Sequence, residues 1–88
     1  MAYFEIVFKN SAAKEFKKLD PPVVKRIADQ IDKLQISPFP HGVEKLKTYE
    51  SPVLYRIRIG DYRVLYCVDI DLKVITIFAV RHRREVYR

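Results

Sequence analysis

The chain has 88 residues and a mass of 10.5 kDa, room for one core, since a second would need roughly 50 more residues. Its 49% hydrophobic and 32% charged residues describe a globular chain, and its longest apolar stretch, 74–80, is too short for the ~20-residue membrane helix. One Cys and two His exclude an internal disulfide and argue against a structural zinc site, while 17 Lys and Arg against 11 Asp and Glu leave +6.

In chain order, Tyr3 to Phe8 predicts a strand with Phe4, Ile6 and Phe8 on one face. Asn10 is placed to cap a helix from Ser11 to Leu19, whose Ala12, Phe16 and Leu19 fall on one side. Asp20-Pro21-Pro22 ends that helix and opens another, with Asp20 as cap and Pro21 at the first helical position. Val24, Ile27, Ala28, Ile31 and Leu34 form the apolar stripe of a helix running to Ile36. The connection between the two is so short that they should be antiparallel neighbours. The loop 37–42 follows, then a weakly patterned stretch, 43–52, in which Leu46 is the expected core anchor.

The second half is clearer. Val53 to Ile59 and Tyr62 to Asp69 predict a hairpin closed by Gly60-Asp61, and after a turn at 69–72 a third strand runs from Lys73 to Val80. The order implies an α+β domain spanning 1–88: an N-terminal strand and two antiparallel helices packed on a mainly antiparallel sheet of about four strands.

The charge is uneven: residues 1–44 carry a net +1 and residues 45–88 a net +5. A two-residue turn at 60–61 places Arg58 opposite Arg63 and Arg56 opposite Leu65, so Arg56, Arg58 and Arg63 share one face and Tyr55, Ile57, Val64 and Tyr66 the other. Like charges directly across a strand pair cost ~0.2–1 kcal/mol. With no carboxylate visible on that face and Arg63 expected on its exposed side, the hairpin reads as an anion site suited to phosphate, with an ordinary solvated face as the alternative. Arg81, His82, Arg83, Arg84 and Arg88, with Tyr87 among them, form a second basic group. An aromatic amid arginines can stack on a base while the arginines hold phosphates. The side-chain parity of the last strand stays open, because the 69–72 turn is ambiguous by one residue. Cys67 is expected to be half-buried in its strand, and His41 incidental. No Ser-His-Asp set, Gly-rich phosphate loop or carboxylate pair is present.

The segment from Tyr55 to Tyr66, preceded by Lys45-Leu46-Lys47 and closed by residues 82–87, resembles the RelE branch of the RelE/ParE toxin superfamily, as does the helix from Ala12 to Leu19. The resemblance covers nearly the whole chain. It implies a cytoplasmic toxin of a type II toxin–antitoxin system, with a microbial-ribonuclease-like fold, that cleaves mRNA in the ribosomal A site and is neutralised by a cognate antitoxin. The implied partners are that antitoxin, in a hetero-oligomer, and the ribosome with its mRNA, with no membrane, metal or cofactor. Residue by residue, it places Arg56 and Arg58 along the mRNA and Arg63 on the scissile phosphate. It places Arg81 or Arg83 at the developing charge and Tyr87 on the substrate base. Arg84, Lys45 and Lys47 are further substrate-binding candidates beside Arg81, and His82 is the candidate for proton transfer. Three features depart from the family pattern: members often have lysines at the positions of Arg56 and Arg58, the tail is shorter than in some members and carries His82, and Thr48 stands where glycine is common. The rival readings are a ParE-like gyrase inhibitor and a non-catalytic RNA-binding module of the same fold.

Overall fold

The computed structural model describes residues 3–47 and 51–86. Strand β1 (Glu5–Phe8) runs into helix α1 (Asn10–Lys17), and after a brief turn helix α2 (Pro21–Leu34) follows. Strands β2 (Glu44–Lys45), β3 (Tyr55–Ile59), β4 (Tyr62–Asp69) and β5 (Val74–His82) complete the sheet, and a single helical turn, α3 (Arg83–Val86), follows β5 directly. The sheet order is β1-β5-β4-β3-β2, antiparallel throughout except that β1 lies parallel to β5.

The helices form where the apolar stripes predict them, with shifted ends. Lys9, not Asn10, occupies the α1 cap position, and α1 stops at Lys17, two residues short of Leu19. Asp20 holds the α2 cap position with Pro21 behind it, but its side chain makes no capping hydrogen bond. Ala12 from α1 and Ile27, Ile31 and Leu34 from α2 close over Phe4, Ile57, Ile59, Val64, Tyr66, Ile75, Ile77 and Val80 of the sheet side. Val43, rather than the predicted Leu46, packs against this core from the 43–52 stretch.

The hairpin register matches the prediction pair for pair, from Tyr55–Tyr66 to Ile59–Tyr62. Gly60 sits at φ +60, the conformation a two-residue hairpin demands at its first turn position. The strand count is close to the expected four or so: the sheet has five, because Glu44-Lys45 adds two charged residues to the β3 edge with no alternation to announce them. The final strand also runs two residues past Val80, drawing Arg81 and His82 into the sheet.

A β-bulge settles the parity that the sequence left open. Leu65 pairs with Ala79 but Tyr66 pairs with Ile77, so Phe78 is an extra residue on β5. Ile75 and Ile77 face the helices, and past the bulge so do Val80 and His82. Ala79 and Arg81 turn to the opposite face.

Candidate functional site

The sheet face turned away from the helices carries the arginines. Arg58 is the cross-strand partner of Arg63, and Arg63 is the partner of Arg81, so three arginines form one row across β3, β4 and β5. With strands ~4.8 Å apart the row spans about 10 Å. Arg56 stands in the next row, opposite Leu65.

Two expectations about this face are corrected. It does hold a carboxylate: Glu44 on β2, the partner of Arg56, which hydrogen-bonds the Arg56 guanidinium and lies 3.2 Å from Arg58 Nη2. A sequence reading could not place Glu44 there without knowing that β2 exists. The hydrogen bond from Arg56, with the charges of Arg56, Arg58 and Arg63, holds its carboxyl below the usual carboxylate range despite a smaller opposing effect of desolvation. Nor is Arg63 on an exposed position: the residue is 7% exposed. Its Nη1 donates to the carbonyls of Tyr62 (3.1 Å) and Gly60 (3.4 Å), tying the side chain back onto the hairpin turn, while its Nε is buried without a partner among the described residues. Arg63 is covered because it lies in the middle strand of the row, between Arg58 and Arg81.

At the other end, β1 has run out by the level of Val80, and α1 takes over the β5 edge. Glu15 accepts there from the Val80 N–H (3.2 Å) and from Arg81 Nε (3.1 Å). Glu44 and Glu15 therefore bracket the row from its two ends, which is how a line of like charges is tolerated. Both pairs are partly exposed: the side chains of Arg58 and Arg81 remain 54% and 48% accessible. Solvent screens such ion pairs, so a phosphate could replace either carboxylate at little cost.

The tail converges on the same end of the sheet. The Arg83 N–H donates to the Asp61 carbonyl at 2.7 Å, and its guanidinium lies 3.8 Å from the Asp61 carboxylate. Arg84 is exposed beside it. His82 belongs to the opposite face, paired with Tyr62 at the last rung of the β4–β5 ladder, its ring edge-to-face on the tyrosine with centroids 5.2 Å apart. Its Nδ1 accepts the Arg84 N–H at 3.2 Å, which puts the proton of the neutral ring on Nε2. Lys45, the partner of Tyr55, also falls on the helix side, away from the arginines, and Lys47 is exposed in the loop beyond. Tyr87, Arg88 and Thr48 lie outside the described residues. Among the described residues no three His, Cys, Asp or Glu side chains come together as a metal site, and no helix is long and apolar enough to cross a membrane.

A basic row on the open face of a five-stranded sheet, with two helices behind it, sets this geometry beside known proteins. A family described as the ParE toxin of type II toxin–antitoxin systems, parDE, matches residues 6–87. The chain belongs to the RelE/ParE toxin superfamily. Within it the likeness is to RelE. A RelE1 protein of Methanocaldococcus jannaschii is 30% identical over 86 residues, covering 97% of this chain and 96% of that one. RelE in the archaeal RelE–RelB complex of Pyrococcus horikoshii superposes with a TM-score of 0.80 at 31% identity, over 94% of this chain and 97% of that one. The isolated Escherichia coli RelE toxin gives 0.75 at 29% identity, over 98% and 92%. The α+β fold, two helices on a mixed five-stranded sheet, is thus the RelE fold.

Proposed function

We propose that this RelE-like toxin is an endoribonuclease that cuts mRNA on the ribosome and so inhibits translation, with the Arg58–Arg63–Arg81 row as its phosphate-binding centre. What supports the reading is that row: two accessible guanidiniums, Arg58 and Arg81, flank the buried charge of Arg63 on one face, an arrangement suited to the phosphates of a single strand. The chemistry is attack of a ribose 2′-oxygen on the adjacent phosphorus, with the bond to the 5′-oxygen breaking to leave a 2′,3′-cyclic phosphate and a 5′-hydroxyl. No step requires a metal. Arg56, Arg58, Arg63 and Arg81 stabilise the charge that builds on the phosphorane oxygens, and Arg83 and Arg84 hold flanking phosphates. Tyr87 stacks on a substrate base, and Lys45 and Lys47 contact the strand beyond the β2 edge.

Arginine does not give up its proton, so it cannot be the base. Glu44 is the proton acceptor among these residues and takes the 2′-hydroxyl proton. His82 stands on the opposite face, three strands from Glu44, and takes no part at the same phosphorus; water returns a proton to the 5′-oxygen. A carboxylate held below its ordinary range is a weak base, so most of the rate must come from orientation and charge. The ribosome supplies that orientation, where proximity is worth up to ~7–11 kcal/mol.

RelE proteins occur with RelB antitoxins in complexes from P. horikoshii, E. coli and Methanococcus jannaschii. By extension this chain acts in the cytoplasm and is held inactive in a hetero-oligomer with an antitoxin of its own. Primer extension on a translated mRNA tests the activity: cuts at defined codon positions are expected with the protein present, and few in the same RNA without ribosomes. Uncut mRNA together with inhibited DNA supercoiling would move the assignment to a ParE-like gyrase inhibitor. Binding of RNA without any cutting would leave a non-catalytic module.

A further inference from the structure

The arginine row runs off the sheet at its β5 end. Strand β1 stops at Phe8, level with Ile77, so past that rung the β5 edge is bordered by α1. Behind this edge, on the helix side, a cleft of about 330 Å³ opens between the C-terminal end of α1 and the final rung of the β4–β5 ladder. Leu19 and Val80 give it apolar walls, and Tyr62 and His82, edge-to-face on each other, give it an aromatic one. Glu15, Lys18 and His82 supply its polar groups. Glu15 links the cleft to the row, since its Oε2 is the atom that accepts from Arg81 Nε at 3.1 Å. The last guanidinium of the row and the cleft thus share one carboxylate.

We propose that this cleft is a base pocket for the nucleotide next to the one held at Arg81, and that it takes a pyrimidine in preference to a purine. The inference rests on the reading of the row as a site for a single RNA strand. A strand with its phosphates along Arg58, Arg63 and Arg81 leaves the sheet over the β5 edge, at the mouth of the cleft. A phosphate on Arg81 displaces Glu15 Oε2 and frees it as an acceptor, while Oε1 stays on the Val80 N–H at 3.2 Å. Lys18 has only protons to offer. His82 donates as well, because the Arg84 N–H occupies its Nδ1 and leaves the ring proton on Nε2. One acceptor and two donors therefore meet the base; the Tyr62 hydroxyl, able to donate or accept, does not alter that count. Cytosine offers the complement on its Watson–Crick edge, an amine donor with N3 and O2 as acceptors. Uracil offers one N–H between two carbonyl oxygens. Guanine reverses the count, and adenine has one of each, so either purine leaves a group of the pocket unpaired and desolvated. Stacking on the aromatic wall is open to every base, and selection falls to the hydrogen bonds.

The test is equilibrium binding of the full-length protein to an uncleavable 2′-deoxy pentanucleotide, abasic except for a single cytosine, uracil, adenine or guanine placed at each position in turn. The wholly abasic strand measures the row alone. At one position cytosine and uracil should each tighten Kd by about fivefold or more over the abasic strand, and by about threefold or more over either purine. In isotope-labelled protein the Leu19 and His82 amides should shift with that strand and not with the abasic one. The gain should fall below about twofold in Lys18→Met, at an exposed position, and in Glu15→Gln, whose single amide oxygen is already needed by the Val80 N–H. Glu15→Gln should still bind the abasic strand at least as tightly as wild type, because Arg81 is released. Gains below about twofold at every position, gains equal for all four bases, or gains that survive both substitutions would each overturn the pocket. An abasic strand that fails to bind would overturn the row and the pocket together. A strand bound without base preference, alongside cleavage of translated mRNA by the same preparation, would remove the pocket and leave the toxin reading standing.

Discussion

Truncating Arg63 should damage the site and the fold together, a consequence of its burial. In Arg63→Ala the Gly60 and Tyr62 carbonyls lose a charged donor, a contact worth ~1.5–3 kcal/mol. Part of that returns: Arg58 and Arg81 each lose a like-charged cross-strand neighbour, ~0.2–1 kcal/mol apiece, and the partnerless Nε no longer needs to be buried. A net loss of about 1–2 kcal/mol remains, which for a domain of this size lowers Tm by roughly 5–15 °C. Total stability for 88 residues is about 4–13 kcal/mol, so the variant should still be folded at 20 °C. Circular-dichroism melts and cleavage of ribosome-bound mRNA at 20 °C, on the same preparation, read the two effects. Arg63→Met, which keeps the apolar stem, should lose cleavage equally while melting closer to wild type. A Tm within 2 °C of wild type for Arg63→Ala would refute the structural half of the reasoning. Retained cleavage would refute the phosphate-binding half.

Glu44→Gln should cut the cleavage rate by ~10²-fold while tightening equilibrium binding of single-stranded RNA, since the acceptor is lost and the guanidiniums are released; unchanged cleavage would remove Glu44 from the mechanism. Because the folded-state pKa of Glu44 is depressed, its contribution to stability is present above the ordinary carboxylate range and is lost only as pH falls through that lower value. Glu44 should therefore add no pH dependence to anion binding between pH 5 and 8: Glu44→Gln should bind tighter than wild type by the same factor across that range, as parallel titrations would show. His82→Gln should lower cleavage by less than about threefold, because the ring faces the helix side and bears on the reacting phosphate only by holding the tail through the Arg84 N–H; a loss of ~10²-fold would put it in the proton transfer. Tyr66 donates to the Pro38 carbonyl at 2.7 Å, and burial pushes its phenol up to about 12. Wild type should therefore lose stability as pH rises from 10 toward 12, where the unfolded chain ionises first, and Tyr66→Phe should not, as denaturant melts across that range would show.

Much of this was legible in the sequence because two periodicities did the reading. The stripe from Val24 to Leu34 and the alternation across Gly60-Asp61 identified α2 and the hairpin register, and with the register came the Arg58–Arg63 pairing. What escaped was whatever tertiary contact alone decides. Glu44 and Lys45 look like loop until β3 lies beside them, and Glu15 looks like a solvated helix residue until the end of β1 exposes the β5 edge. Strand alternation marks Arg63 as outward, which is true of its direction and false of its exposure. Arg81 was grouped with a tail because nothing in its flanking residues signals that the strand continues.

The register past the bulge at Phe78 has a consequence for how such a site can change. Each residue after it owes its face to the β4 residue it pairs with. Deleting Phe78 would only restore regular pairing and keep these faces, whereas deleting Val80 would move each later residue back by one rung, carrying Arg81 under the helices and bringing His82 out beside Arg63. A single-codon deletion could thus convert a guanidinium row into an arginine–imidazole pair without altering any functional side chain. Relatives with the same fold could differ in their proton-transfer chemistry by the length of one strand.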